Sequence, residues 1–258
     1  MLQDLLSIGS GGIVGFALGL LGGGGSILAV PLLIYVVGVR SPHVAIGTSA
    51  LAVAVNAFAN LTAHSRAGHV KWPCAIVFAL SGVAGAAAGA ALGKMVDGKQ
   101  LLFLFGFVML AVAAAMFSPR AAAGNPDVRI NPAIAMRLVM IGAVVGLLSG
   151  FFGIGGGFLI VPAIMLGSGM ATINAVGSSL VSVGAFGLTT ALSYAFAGLI
   201  EWRIAAFFVL GGIAGGLMGV ALAKRLAARR ALLTRIFAGV VVAVAAFIIW
   251  HSLPAIFG

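Results

Sequence analysis

The residues whose types and spacing could do chemistry here are small and uncharged. Two glycine runs, Gly22–Gly25 and Gly153–Gly157, interrupt long apolar segments. Each is followed by a segment that carries hydroxyls and amides at helical spacing. Ser49, Asn56 and Asn60 fall at i, i+7 and i+11, while Ser178, Ser182, Thr189 and Ser193 are spaced by 4, 7 and 4. Polar stripes inside an apolar helix must face protein or water rather than hydrocarbon. A glycine cluster breaks a helix, and a helix that restarts beyond it offers unpaired backbone N–H groups and a positive dipole end. Such an end holds an anion without a charged side chain.

The candidate substrate-binding set is therefore Gly24, Gly25, Ser26, Thr48, Ser49, Asn56 and Asn60 in the first half of the chain. In the second half it is Gly155, Gly156, Gly157, Ser178, Ser179, Ser182 and Thr190. His64 and Arg66, beside a short basic loop, are candidate gate residues. The bland alternative is close packing through small residues with interhelical hydrogen bonds worth about 0.6 kcal/mol each. Four successive glycines exceed what such packing needs.

The surrounding chain is 62% hydrophobic and 7% charged, with mean hydropathy +1.26. Apolar runs near the ~20 residues that cross a bilayer recur throughout. The expected class is an all-α polytopic membrane protein, and the net charge of +10 is read as topology rather than as a nucleic-acid footprint. The single cysteine, Cys74, excludes an internal disulfide and a multi-thiolate metal site, so neither metal nor cofactor is expected. The N-terminus has Asp4 and no basic residue before the first apolar stretch, which does not read as a cleavable signal. The acids Asp4, Asp97, Asp127 and Glu201 all lie near segment ends, leaving no carboxylate for a proton relay or a tight sodium site within the membrane. No nucleophile–base pair is placed for an enzyme at membrane depth.

The chain repeats itself. Gly15 to Pro31 laid over Gly146 to Pro162 shares five glycines, a leucine and the closing Val-Pro. Beyond that, Gly47, Gly68, Trp72, Gly82, Gly85, Gly89 and Lys94 match Gly177, Gly198, Trp202, Gly212, Gly215, Gly219 and Lys224 at one constant offset of 130. The divisions expected are a first repeat over 1–118, a linker over 119–136 and a second repeat over 137–258. Within a half, the glycine-broken hairpin precedes three transmembrane helices, and the span 101–117 reads as featureless and lipid-facing.

Paired helix breaks at matching places in two halves point to a transporter's binding site. If each broken segment is a re-entrant hairpin with no net crossing, ten basic residues share one side: Arg66, Lys71, Arg120, Arg129, Arg137 and the five from Lys224 to Arg235. Arg40, Lys94, Lys99 and Arg203 remain on the other. If each crosses once, the division is only 8 to 6. The positive-inside rule prefers the first arrangement, an inverted repeat with both termini outside and the two hairpin tips meeting near mid-membrane.

The duplicated glycine run with its Val-Pro ending resembles the TauE/SafE sulfite exporter family of membrane anion permeases. So do Gly47-Thr48-Ser49 and Gly177-Ser178-Ser179, and the Trp-led segment after each basic loop. The resemblance implies a multi-pass permease of the bacterial inner membrane for small sulfur-containing anions, with sulfite, sulfoacetate, thiosulfate or sulfonates as candidates. The partners would be a small anionic substrate and the lipid bilayer, with a homodimer left open. Another small anion such as a carboxylate, a channel, or a non-transporting membrane subunit are the alternatives. Cysteines introduced at both chain ends should label from outside the cell, and labelling of both only from the cytoplasm would overturn this topology.

Overall fold

The computed structural model describes residues 1–117, 124–125, 127–153, 157–225 and 230–253. Among these the fold is helical. The helices are α1 (Leu2–Leu21), α2 (Ala29–Pro31), α3 (Pro42–Arg66), α4 (Trp72–Gly93), α5 (Gly98–Phe117), α6 (Pro132–Phe152), α7 (Gly157–Ser168), α8 (Thr172–Ala195), α9 (Trp202–Arg225) and α10 (Arg230–Ser252). Six of them, α1, α3, α4, α6, α8 and α9, carry apolar stretches long enough to cross a membrane. A 3₁₀ helix over Gly22–Leu28 and a π turn over Leu32–Val36 flank α2.

The helix boundaries follow local chemistry. Proline stands in the first turn of α3, α4 and α6, where its missing N–H costs nothing. Asn131 Oδ1 accepts the Ile134 N–H at 2.8 Å to cap α6, which thus begins inside the stretch read as linker. Asp97 Oδ1 accepts from Lys99 N at 2.8 Å at the start of α5. Gly153, at φ +66, ends α6 in the left-handed conformation that glycine takes without strain.

The packing is the same when the two halves are exchanged. In the contact pattern α1 pairs with α9 and, equivalently, α6 with α4; α3 pairs with α8 and α5 with α10. Each half's first helix thus packs on a helix of the other half, and the halves interlock. The α1–α9 and α4–α6 pairs run parallel with their backbones in contact. A Cβ on Gly15 would fall on the Gly212 carbonyl, and one on Gly146 would fall on that of Gly82. Glycine rows allow this approach, as in membrane helix dimers. The pair α3–α8 runs antiparallel: Gly47 lies against Leu199 and Tyr194, Gly187 against Ala50 and Ala54, and Gly177 against His69.

The two ends of each glycine-broken segment lie side by side. Gln3 Nε2 donates to Val37 O at 3.3 Å, so the chain returns beside its start, and Gly167 comes back against Leu138 and Ile141. The first arm of each is longer than a half-membrane span needs. With 20 and 21 residues, α1 and α6 are about 30 Å long. Phe151 lies against Gly93, the last residue of α4, and Gly153 against Ile46, one turn into α3. Gly153 therefore sits near the ends of its neighbours rather than at mid-height. The glycine rows cause this, because they hold α6 on α4 along nearly its whole length. The 3₁₀ run Gly22–Leu28, which holds the first glycine run, packs on α7, the returning arm of the second segment.

One further expectation changes. The helix α5 is not featureless: Leu101, Phe105, Met109 and Ala113 are buried on one face, and Gly106 packs on Ile249 of α10. Leu104 and Phe107 face outward. The connection before α6 is also tied down, since Asn125 N donates to Gly169 O at 2.9 Å and Ala171 N to Asn125 O at 3.2 Å.

Gly15→Ala should destabilise by about 1–3 kcal/mol through overpacking of backbone on backbone. Gly9→Ala, where a Cβ meets nothing within 4 Å, should be neutral. Thermal unfolding of both variants in detergent checks this, and equal melting temperatures would refute it.

Candidate functional site

The hydroxyls next to Gly47 of α3 and Gly177 of α8 accept from loops. Thr48 Oγ1 accepts the Glu201 N–H at 3.0 Å, and its repeat equivalent Ser178 Oγ accepts the Lys71 N–H at 2.9 Å. Each ties one half's helix to the other half's loop, so both oxygens are engaged in holding the fold. Ser49 Oγ donates to Ile46 O at 2.9 Å and Ser179 Oγ to Val176 O at 2.8 Å, both within their own helices. Thr189 donates back to Ala185 O at 2.8 Å and is only half-buried, as is Ser193. Thr190, one residue on, faces the core instead.

The amides are placed differently. Asn56 is fully buried near the middle of α3, with neither its Oδ1 nor its Nδ2 hydrogen-bonded. Its side chain rests on Gly212, and that of Asn60 on Gly216, two glycines of α9 that leave room for them. Asn60 Nδ2 donates to Asn56 O at 3.0 Å. Antiparallel packing brings the middles of α3 and α8 together, so Asn56 lies at mid-height. Ser182 and Thr190 are likewise buried, with unpaired hydroxyls.

The second half does not reproduce the amide pair. At the repeat position of Asn56 stands Phe186, which rests on Gly82 as Asn56 rests on Gly212 and stacks on Phe78 with ring centroids 6.1 Å apart. Thr190 takes the place of Asn60. The glycine niches are symmetric and their occupants are not.

Gly25 of the first break and Gly153 of the second lie away from mid-height. Gly24 and Gly25 fall inside the 3₁₀ run Gly22–Leu28, so no α-helix restarts right after Gly25. Gly25 packs on the backbone of Ala17 and Leu18, and Ser26 is fully buried beside it. Gly157 opens α7, whereas Gly155 and Gly156 lie outside the described residues. His64 is buried with its ring centroid 5.7 Å from that of His69, while Arg66 is exposed at the end of α3.

Sequence reasoning passed over Ser10 and Ser149, both buried with unpaired hydroxyls. Ser149 had a visible signal, since it replaces Leu18 of the first copy. It also passed over Tyr194, whose buried hydroxyl has no partner. A buried donor or acceptor left unmade costs about 1–3 kcal/mol, so several such groups in one interior are unfavourable without a guest that satisfies them.

Residues 7–248 match the family described as Sulfite exporter TauE/SafE. The chain belongs to the sulfite exporter TauE/SafE family. It is 54% identical to a "Probable membrane transporter protein" of Xylella fastidiosa strain Temecula1, covering 96% of this chain and 95% of that protein. It is 28% identical to the "Probable membrane transporter protein YunE" of Bacillus subtilis strain 168, over 83% and 85% of the two chains. Similarity to the "Probable membrane transporter protein ORF9" of Sinorhizobium sp. is 27% over 80% and 78%. No solved structure matches the chain. This TauE/SafE protein is accordingly a multi-pass membrane transporter and not an enzyme.

Ser178→Ala and Thr48→Val should each lower the stability of this TauE/SafE transporter by about 0.5–1.5 kcal/mol, because a loop N–H loses its acceptor. Substrate affinity should not change. A tenfold loss of affinity in either variant would return that hydroxyl to the substrate path.

Proposed function

We propose that this transporter is a permease for small sulfur-containing anions, of the sulfite, sulfoacetate, thiosulfate or sulfonate class, in the bacterial inner membrane. One observation carries the reading: the Asn56 amide is buried, unpaired and at mid-height, in an interior without carboxylates. An oxyanion accepts hydrogen bonds only, and Nδ2 of Asn56 with the hydroxyls of Ser182 and Thr190 are donors of that kind. A protein interior lacking acids does not repel it. The binding site proposed is thus the amide face of α3 against the glycines of α9, with Gly24, Gly25, Ser26 and Gly157 lining the route rather than forming the site.

The same geometry supports an inverted repeat. Equivalent helices α3 and α8 run antiparallel, so the axis that relates them is perpendicular to both. For membrane-crossing helices such an axis lies in the membrane plane. Treating each hairpin as two crossings adds two per half and leaves the count odd, which keeps the inversion. The basic residues then favour both termini outside. Asp4 Oδ2 and Arg203 Nη2, 2.9 Å apart, belong to the outer end in this scheme.

Anion exit from a cell with a negative interior releases about 2.3 kcal/mol per charge per 100 mV, so no proton- or sodium-binding carboxylate is required. Flux in proteoliposomes should therefore be electrogenic and sodium-independent, tested on a panel of sulfur oxyanions and carboxylates under a valinomycin-set potassium potential. Flux that ignores the potential but needs a sodium or proton gradient would overturn uniport, and carboxylates outcompeting sulfur oxyanions would overturn the substrate class. Asn56→Leu should weaken binding by about 1–3 kcal/mol and raise the melting temperature, because an unpaired buried amide is removed. Unchanged affinity would refute the site.

A further inference from the structure

The end of the molecule that carries the N-terminus holds a cation without a carboxylate partner. Lys94, the C-cap residue of α4, is half-buried, and its Nζ donates to Ser193 O at 2.9 Å. The same Nζ lies 5.7 Å from the ring centroid of Tyr194. Among the described residues the ion pairs are those of Asp4 with the N-terminus and with Arg203, so the Lys94 charge is balanced only by a carbonyl and an aromatic face. Behind it stands Tyr194, fully buried near the end of α8, with its hydroxyl unpaired. The His43 ring is 6.4 Å from the Tyr194 ring, and its Nδ1 is buried and unpaired. An ammonium and an imidazole are thus gathered around one phenol ring.

The repeat gives this cluster a place in the transport path. At the offset of 130, Tyr194 is the counterpart of His64, which sits beside His69 at the opposite end of the α3–α8 pair. The two equivalent positions close the pair at its two ends, with Asn56 between them. Gly47 fits against the Tyr194 side chain, so the ring is wedged between α3 and the Lys94 ammonium rather than facing outward. An oxyanion arriving at this end can exchange with the Ser193 carbonyl for the Lys94 ammonium. Charge-assisted hydrogen bonds of this kind are stronger than neutral ones, and the lysine is free of a competing carboxylate. Moving Lys94 also takes the cation from the Tyr194 face and loosens the contact that holds the ring in place.

We propose that Lys94, with the Tyr194 hydroxyl and His43, forms an oxyanion docking site and gate at the N-terminal end of the transport path, distinct from the site at Asn56. This rests on the anion-permease reading, and the docking residues would set the concentration dependence of entry from that end.

The test is sulfite and sulfonate flux in proteoliposomes, with the half-saturating concentration and maximal rate measured separately. Lys94→Met should raise the half-saturating concentration about tenfold, as expected for loss of one charged hydrogen bond. Lys94→Arg should stay within about threefold of the parent because the charge is kept. Tyr194→Phe, which keeps the ring and its contact with Gly47, should raise it several-fold. Lys99→Met, an exposed lysine at the same end, should leave it unchanged. Parent-like values in both Lys94→Met and Tyr194→Phe would overturn the docking site while leaving the permease reading intact. An equal rise in Lys99→Met would also overturn it, by assigning the effect to general surface charge. Absence of anion flux in the parent protein would instead overturn the permease reading itself.

Discussion

Contact of backbone with backbone across the two halves is the constraint on which the rest of the structure depends. Lipid tails are as apolar as leucine, so burying apolar surface does not drive helices together inside a membrane, and close packing must do that work. The glycines of α1 and α9, and their equivalents on α4 and α6, bring helix axes near enough for Gly15 to meet the Gly212 carbonyl. Because each pair takes one helix from each half, neither half can close its own core. The same contacts draw α1 and α6 along the full length of their partners and so decide where the chain turns. Gly153 lies near the helix ends as a consequence.

Glycine rows also create niches on the side facing α3 and α8. A niche is a backbone feature and obeys the repeat. What fills it is a side-chain matter and has diverged. At one niche stands Asn56, with its hydrogen-bonding groups unsatisfied; at the other stands Phe186, satisfied by stacking on Phe78. A stability argument alone favours the phenylalanine. An unpaired amide held in a close-packed interior is the kind of local unfavourable choice that functional sites retain. Two equivalent positions thus hold opposite solutions within one molecule.

The loops obey a similar logic with the opposite outcome. Thr48 and Ser178 remain polar in both halves and accept from the backbone of Glu201 and Lys71. Here symmetry is kept because the partner is a backbone N–H, which every residue except proline supplies. At the equivalent positions His64 and Tyr194, by contrast, the two halves have moved apart.

Composition and periodicity alone determined that this chain crosses a membrane, that it is duplicated, and that its interior lacks carboxylates. These are statements about solvent and repetition, and each residue carries them without reference to a distant partner. The repeat pattern was also enough to identify the TauE/SafE family, since close helix contact leaves its mark as glycines at fixed positions. The tertiary structure alone decided which polar residues are free. Thr48, Ser49 and Asn56 share one helix and one polar character, but a loop from the other half occupies the first, its own helix the second, and nothing the third. Depth was equally hidden. A glycine run marks where a helix can break, but how deep the break lies depends on how far the preceding helix is held by its neighbour. The buried face of α5 and the Lys94–Tyr194 contact follow from pairings between residues some hundred positions apart, which spacing along the chain does not encode.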